Sequence, residues 1–118
     1  MSKFSHQDSF LLRGVFGMGS RLDLQTLLEE VLGSGNVYFQ PPASLRMNYD
    51  AIVYSRRSID NSFANNNVYK QDDSYEITAI YRNPDSELPR RISLLPRCRF
   101  DRHFTVDNLN HDVFTIYY

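Results

Sequence analysis

Ser74–Arg82 reads SYEITAIYR, and its period of two decides the fold class. Tyr75, Ile77, Ala79 and Tyr81 fall on one side of an extended chain, and Glu76, Thr78, Ile80 and Arg82 on the other. That alternation predicts a strand with one face on a core. Upstream, Tyr49–Arg56 reads YDAIVYSR, a near-continuous apolar run with β-branched residues. It predicts a strand buried on both faces or under a helix. Between the two lies RSIDNSFANNNVYKQDD, with four asparagines and three aspartates. Those residues favour turns, so the expectation is a long hairpin loop from Arg57 to Asp73.

Further out the periodicity becomes helical. RLDLQTLLEEVLGSG (21–35) spaces Leu24, Leu27, Leu28, Val31 and Leu32 for one helix face, with Ser20 or Asp23 to cap it and Gly33 to stop it. Gly35 and Asn36 then turn the chain into VYFQPP, a short strand closed by Pro41 and Pro42. NPDSELPRRISLLPR (83–97) predicts a second helix, capped at Asp85 or Ser86 and ended by Pro96. Leu88, Ile92 and Leu95 share one side of it, and Arg90 and Arg91 the other. The chain closes with CRFDRHFTVD and DVFTIYY, two strands around Asn108-Leu109-Asn110. Helix, three strands, helix, two strands is an α+β domain: a small, mostly antiparallel sheet flanked by two helices.

Length and composition bound the function. At 118 residues the chain holds one domain, expected over 20–118. Residues 1–19 read as an extension or arm, with Met18-Gly19-Ser20 resembling a second start. No secretory signal and no membrane-length apolar run is read. One cysteine, Cys98, excludes an internal disulfide and a thiolate zinc site. Its neighbours Arg97 and Arg99 could stabilise a thiolate; the plainer reading is a small buried apolar residue.

A net charge of −1 gives no reason to expect a dedicated nucleic-acid binder. The kind of positive charge says more, since eleven of thirteen basic residues are Arg and only Lys3 and Lys70 are Lys. Eight Tyr and eight Phe accompany them. Protein interfaces favour Arg and Tyr and are depleted in Lys. From Arg82 to Arg102 six Arg face three acids, an excess suited to phosphate or to an acidic neighbouring subunit, of which the subunit is preferred.

Two of the three histidines, His103 and His111, stand among Asp101, Asp107 and Asp112. A zinc or catalytic cluster needs three or four such donors at one point. The same residues serve a plain hairpin, where Asp and Asn side chains bond nearby backbone. The hairpin is the expectation, with Phe104, Val106, Phe114 and Ile116 as its buried faces. A small metal-assisted hydrolase using Asp101, His103 and His111 is the alternative. There is no phosphate-binding glycine loop, HExxH or GxSxG.

Several stretches taken together carry a resemblance: the YFQPP strand, the Asp-Ala-Ile-Val-Tyr strand, the R-x-P-D-S start of the second helix, and FDRHFTVDNLNHD. From Met18 to Tyr118 the chain resembles the tail-terminator or tail-completion proteins of long-tailed (siphovirus-type) bacteriophages. The resemblance implies a non-enzymatic virion protein without cofactor or metal. It implies a ring, usually hexameric, on the head-proximal end of the tail tube. Partners would be further copies, the tail tube protein and a head-completion or neck protein, with viral DNA passing the lumen unbound and no membrane involved. Its place would be the head–tail junction, after assembly in the host cytoplasm. A neck or head-completion protein of the same virion is the nearest alternative. The residues expected to meet neighbouring subunits are Arg56, Arg57, Asp60, Phe63 and Lys70 around the central loop. Arg90, Arg91, Arg102 and His103 join them from the basic stretch.

Overall fold

The structure, a computed structural model, describes residues 20–64 and 67–118, and of 60–64 and 67–72 the backbone alone. The N-terminal arm lies outside the described residues. The elements run α1 (Arg21–Leu32), β1 (Val37–Phe39), β2 (Ala51–Ala64), β3 (Asn67–Tyr81), α2 (Leu88–Ser93), β4 (Cys98–Val106) and β5 (Leu109–Tyr117). They form an α+β fold in which one five-stranded sheet has the order β1-β2-β3-β5-β4. Only β1 and β2 are parallel; every other pair is antiparallel.

Helix α1 forms where its caps put it. Ser20 Oγ accepts from the Asp23 amide while the Asp23 carboxylate accepts from the Ser20 amide, a reciprocal capping box. Gly33 ends the helix at φ 86°, a left-handed conformation that glycine adopts without a Cβ penalty. In α2 the Ser86 hydroxyl accepts from the Leu88 amide, and Pro89 sits in the first turn. The helix is six residues long, with Glu87 rather than Asp85 or Ser86 at the cap position.

Both helices bury leucines and isoleucines on one face of the sheet. Leu24, Leu28, Leu88 and Ile92 meet Ile52, Tyr54, Tyr75, Ile77, Ala79, Tyr81, Phe114 and Ile116 in one core. The alternation read from Tyr75 to Tyr81 is therefore the core face. Tyr54 stays satisfied under α1 because its hydroxyl donates to Gln25 Oε1 at 2.6 Å, and Gln25 Nε2 donates to the Val37 carbonyl at 3.0 Å. These bonds tie the helix to β1 and β2 at a depth where an unpaired hydroxyl would be costly.

Four expectations need correction. The segment from Arg57 to Asp73 is not a loop: β2 continues to Ala64 and β3 starts at Asn67, paired from Ser58↔Ser74 to Ala64↔Asn67. Pairing supplies backbone hydrogen bonds whatever the side chains, so Asn and Asp are tolerated where no core face demands alternation. Second, the ring reading expects a sheet edge at Val37–Gln40 or at the C-terminal strand; β1 is an edge, but β5 is not, because it lies between β3 and β4. Third, the last hairpin turns at Asp107-Asn108, both left-handed (φ 53° and 63°), and Leu109 and Asn110 are already in β5. Two consecutive left-handed residues are what a tight hairpin of the right twist requires, and Asp and Asn tolerate them. Fourth, Phe104 and Val106 are not buried but 38% and 49% exposed. They belong to β4, an outer strand that no helix of the described residues covers on that side.

Candidate assembly interface

Strand β4 decides where the two histidines lie. Arg99 pairs with Thr115 and Phe100 with Phe114, but Arg102 pairs with Val113, so Asp101 is an extra residue in the ladder. One inserted residue reverses the parity of every side chain after it. Asp101 therefore stays on the open face of the sheet, where its carboxylate accepts from Thr115 Oγ1 at 2.6 Å. His103 instead lies with Asp112, on the helix-covered side. His111 returns to the open face, where its ring stacks on Phe104 at 4.6 Å and Nδ1 donates to the Leu109 carbonyl. Asp101, His103 and His111 are thus not brought to one point, and no group of three such donors converges among the described residues.

What the structure does bring together is His103, Asp112 and Tyr81. His103 Nδ1 bonds the Asp112 carboxylate, and the Tyr81 hydroxyl donates to its other oxygen at 3.1 Å. Asp112 is 7% exposed. Burial pushes the Tyr81 hydroxyl up to about 12, with the Asp112 charge and hydrogen bond adding to it. The hydroxyl therefore remains a proton donor to Asp112 at neutral pH. Sequence spacing gave no signal for this trio, because Tyr81 is thirty-one residues from Asp112.

Asp101 anchors the other face. Burial by itself raises its carboxyl, but hydrogen bonds from Thr115 and Arg99 and the charges of Arg99 and Arg57 outweigh that and hold it below the ordinary aspartate value. A depressed folded value stabilises the fold above the unfolded value and ceases to do so as pH falls through the folded one. Acid unfolding below about pH 4 should therefore be less steep in Asp101→Asn than in the parent, measured as urea midpoints across that range.

Cys98 is half-buried against the core, and burial, with Asp101 nearby, pushes its thiol up to about 11. The flanking arginines do not make it a thiolate. Alkylation at about pH 8 should be far slower in the native protein than in urea, where the thiol returns to its ordinary value near 8.5.

The expected interface residues fall in three places. Arg56 donates to the Tyr75 hydroxyl at 3.2 Å and pairs with Asp73, while Arg57 donates to Thr115 Oγ1 at 2.8 Å on the opposite face. Both brace the base of the β2–β3 hairpin. The side chains of Asp60, Phe63 and Lys70 lie outside those described. Arg90 and Arg91 are exposed on α2, which packs beside β4; Arg102 and His103 are exposed on β4 itself. Sequence reasoning missed β4 as an edge. Its exposed large apolar residues are Phe100 (53%), Phe104 and Val106, followed by Leu94 at the end of α2 (82%).

The open face also carries a shallow groove of about 370 Å³, between Pro41, Pro42, Leu45 and Met47 of the β1–β2 connection and Val53, Ile80 and Phe104 of the sheet. No helix of the described residues is long and apolar enough to cross a membrane. Comparison with known proteins finds no matching family model, curated protein or solved structure.

Proposed function

We propose that this chain is a structural subunit of a long-tailed bacteriophage virion, forming a ring of hexameric order on the head-proximal end of the tail tube. There it stops tube growth and joins tail to head. The observation that carries an assembly role is the far half of the β2–β3 hairpin. β1 pairs only with Ile52–Tyr54, and beyond the last β5 pair at Ser74 the Tyr118 amide donates to the Asp73 carbonyl, so over Ile59–Ala64 and Asn67–Asp72 the described ladder joins β2 and β3 to each other alone. A two-stranded ribbon is marginal in water without a third strand or a packed layer. A neighbouring subunit supplies one.

The Arg-over-Lys balance and the phage resemblance support the same reading, and a net charge of −1 suits a channel that DNA passes without being held. Its partners are then further copies of itself, the tail tube protein and the neck protein. The test is the particle made without it. Each tube ring presents the same end as the last, so an uncapped tube continues to grow. Overlong tails without heads are expected by electron microscopy. Detached tails of normal length would overturn termination and favour the neck-protein role.

A further inference from the structure

The sheet has two outer strands, β1 and β4, and their edges differ. Asn36 and Gln40 bond toward β2, so Val37 and Phe39 turn their backbone groups outward. The Val37 amide donates to the Gly35 carbonyl, and its own carbonyl accepts from Gln25 Nε2 of α1 at 3.0 Å. In β1 that leaves only Phe39 with outward groups that lack a described partner. Past Tyr54 the outer side of β2 has the Arg56 amide, which donates to Gln40 Oε1, and then the ribbon assigned above to a neighbouring subunit. At β4 the edge is open. Val106 and Leu109 flank a two-residue turn and so form a hydrogen-bonded pair; alternation makes Phe104↔His111 and Arg102↔Val113 the next two. His103 and Thr105 therefore turn amide and carbonyl away from β5, and no described backbone bond returns to them. A bulge on an edge strand blunts pairing, but this one, at Asp101, precedes 102–106 and leaves those residues in regular register and exposed throughout.

We propose that the β4 edge, over 102–106, takes an extended acidic segment of a different protein as a further strand. Main-chain bonds to His103 and Thr105 hold such a strand, and side-chain chemistry selects it. The sign comes from the flank. Asp101 is held by Thr115 and Arg99, and Asp112 by His103 and Tyr81. Arg90, Arg91 and Arg102 are exposed, and no ion pair engages them among the described residues. From Glu87 to Asp107 five Arg outnumber Glu87, Asp101 and Asp107, a net +2 with His103 neutral. Arg102 lies over the Phe104 ring at 6.0 Å, so an incoming strand meets a cation and an apolar surface side by side. A second copy fits less well: β4 against β4 sets these arginines against each other, which costs affinity, and β1 offers little beyond Phe39. The edge goes beyond the ring reading, since it names a surface for a partner other than the chain itself and holds whether or not that partner is a virion protein.

The test is amide exchange, followed by NMR on the full chain, with two blocked synthetic peptides as probes, one alternating glutamate with valine and the other lysine with valine. The glutamate peptide is expected to slow exchange at the His103 and Thr105 amides and not at Phe39, and the lysine peptide to bind about tenfold more weakly. Thr105→Pro removes an outward N–H without touching the β5 ladder, a place where edge strands accept proline; it should abolish binding while the far-ultraviolet circular dichroism stays unchanged. Arg90→Glu with Arg102→Glu should reverse the preference between the peptides, and a gain for the lysine peptide excludes misfolding as the cause of the loss. Equal affinity for both peptides, or no slowing at His103 and Thr105, would overturn the proposal. So would slowing without peptide that grows with protein concentration, because a second copy would then hold the edge. Each of these results leaves the tail-length test of the ring reading untouched, and tails of normal length would leave the edge standing.

Discussion

Phe114→Ala is expected to lower the free energy of unfolding by about 3–5 kcal/mol, the usual loss when a buried aromatic leaves a cavity. Phe114 is 1% exposed, faces Ile77 across the β3–β5 pair, and takes the edge of the Phe100 ring at 5.6 Å. It lies in the middle of the sheet under both helices, so neighbours on either side are held by their own ladders and cannot close over the gap. Phe104→Ala is the control. Its ring is 38% exposed and touches His111 rather than the core, so its loss should cost about 1 kcal/mol. Urea denaturation of the two variants checks the contrast. Equal losses would mean that β4 is packed on both faces.

The second large effect is expected at Asp112. Asp112→Ala removes the acceptor shared by His103 and the Tyr81 hydroxyl. Tyr81 is 5% exposed, so its hydroxyl would lose its described acceptor at a largely buried position. The cost should be about 1–3 kcal/mol. His103→Ala should cost somewhat less, because the His103 side chain is itself half-exposed and water can reach Asp112 in its place. The double variant Tyr81→Phe, His103→Ala should depart from additivity, since both act through one carboxylate. A turn histidine would give a loss near zero, about 0.5 kcal/mol at most. A measured loss of that size in His103→Ala would show that the pair contributes nothing to the fold.

The helices, the strand at Ser74–Arg82, the hairpin near the C-terminus and the α+β class were legible in the sequence by itself. Their signals are local: a capping box within four residues, a left-handed glycine, a period of two or of three to four, and turn residues that accept positive φ. Three things were decided only by tertiary structure. Residues 57–64 and 67–73 are strand because each arm's partner, anchored in the core, offers hydrogen bonds to a sequence with no alternation of its own. Strand β5 lies inside the sheet, with β4 as the edge, because strand order is set by which surfaces pack, not by which residues are adjacent. Asp101 and His103, two residues apart, would share a face in a regular strand. The single extra residue in β4 puts them on opposite faces, since parity along a strand holds only while the pairing is unbroken.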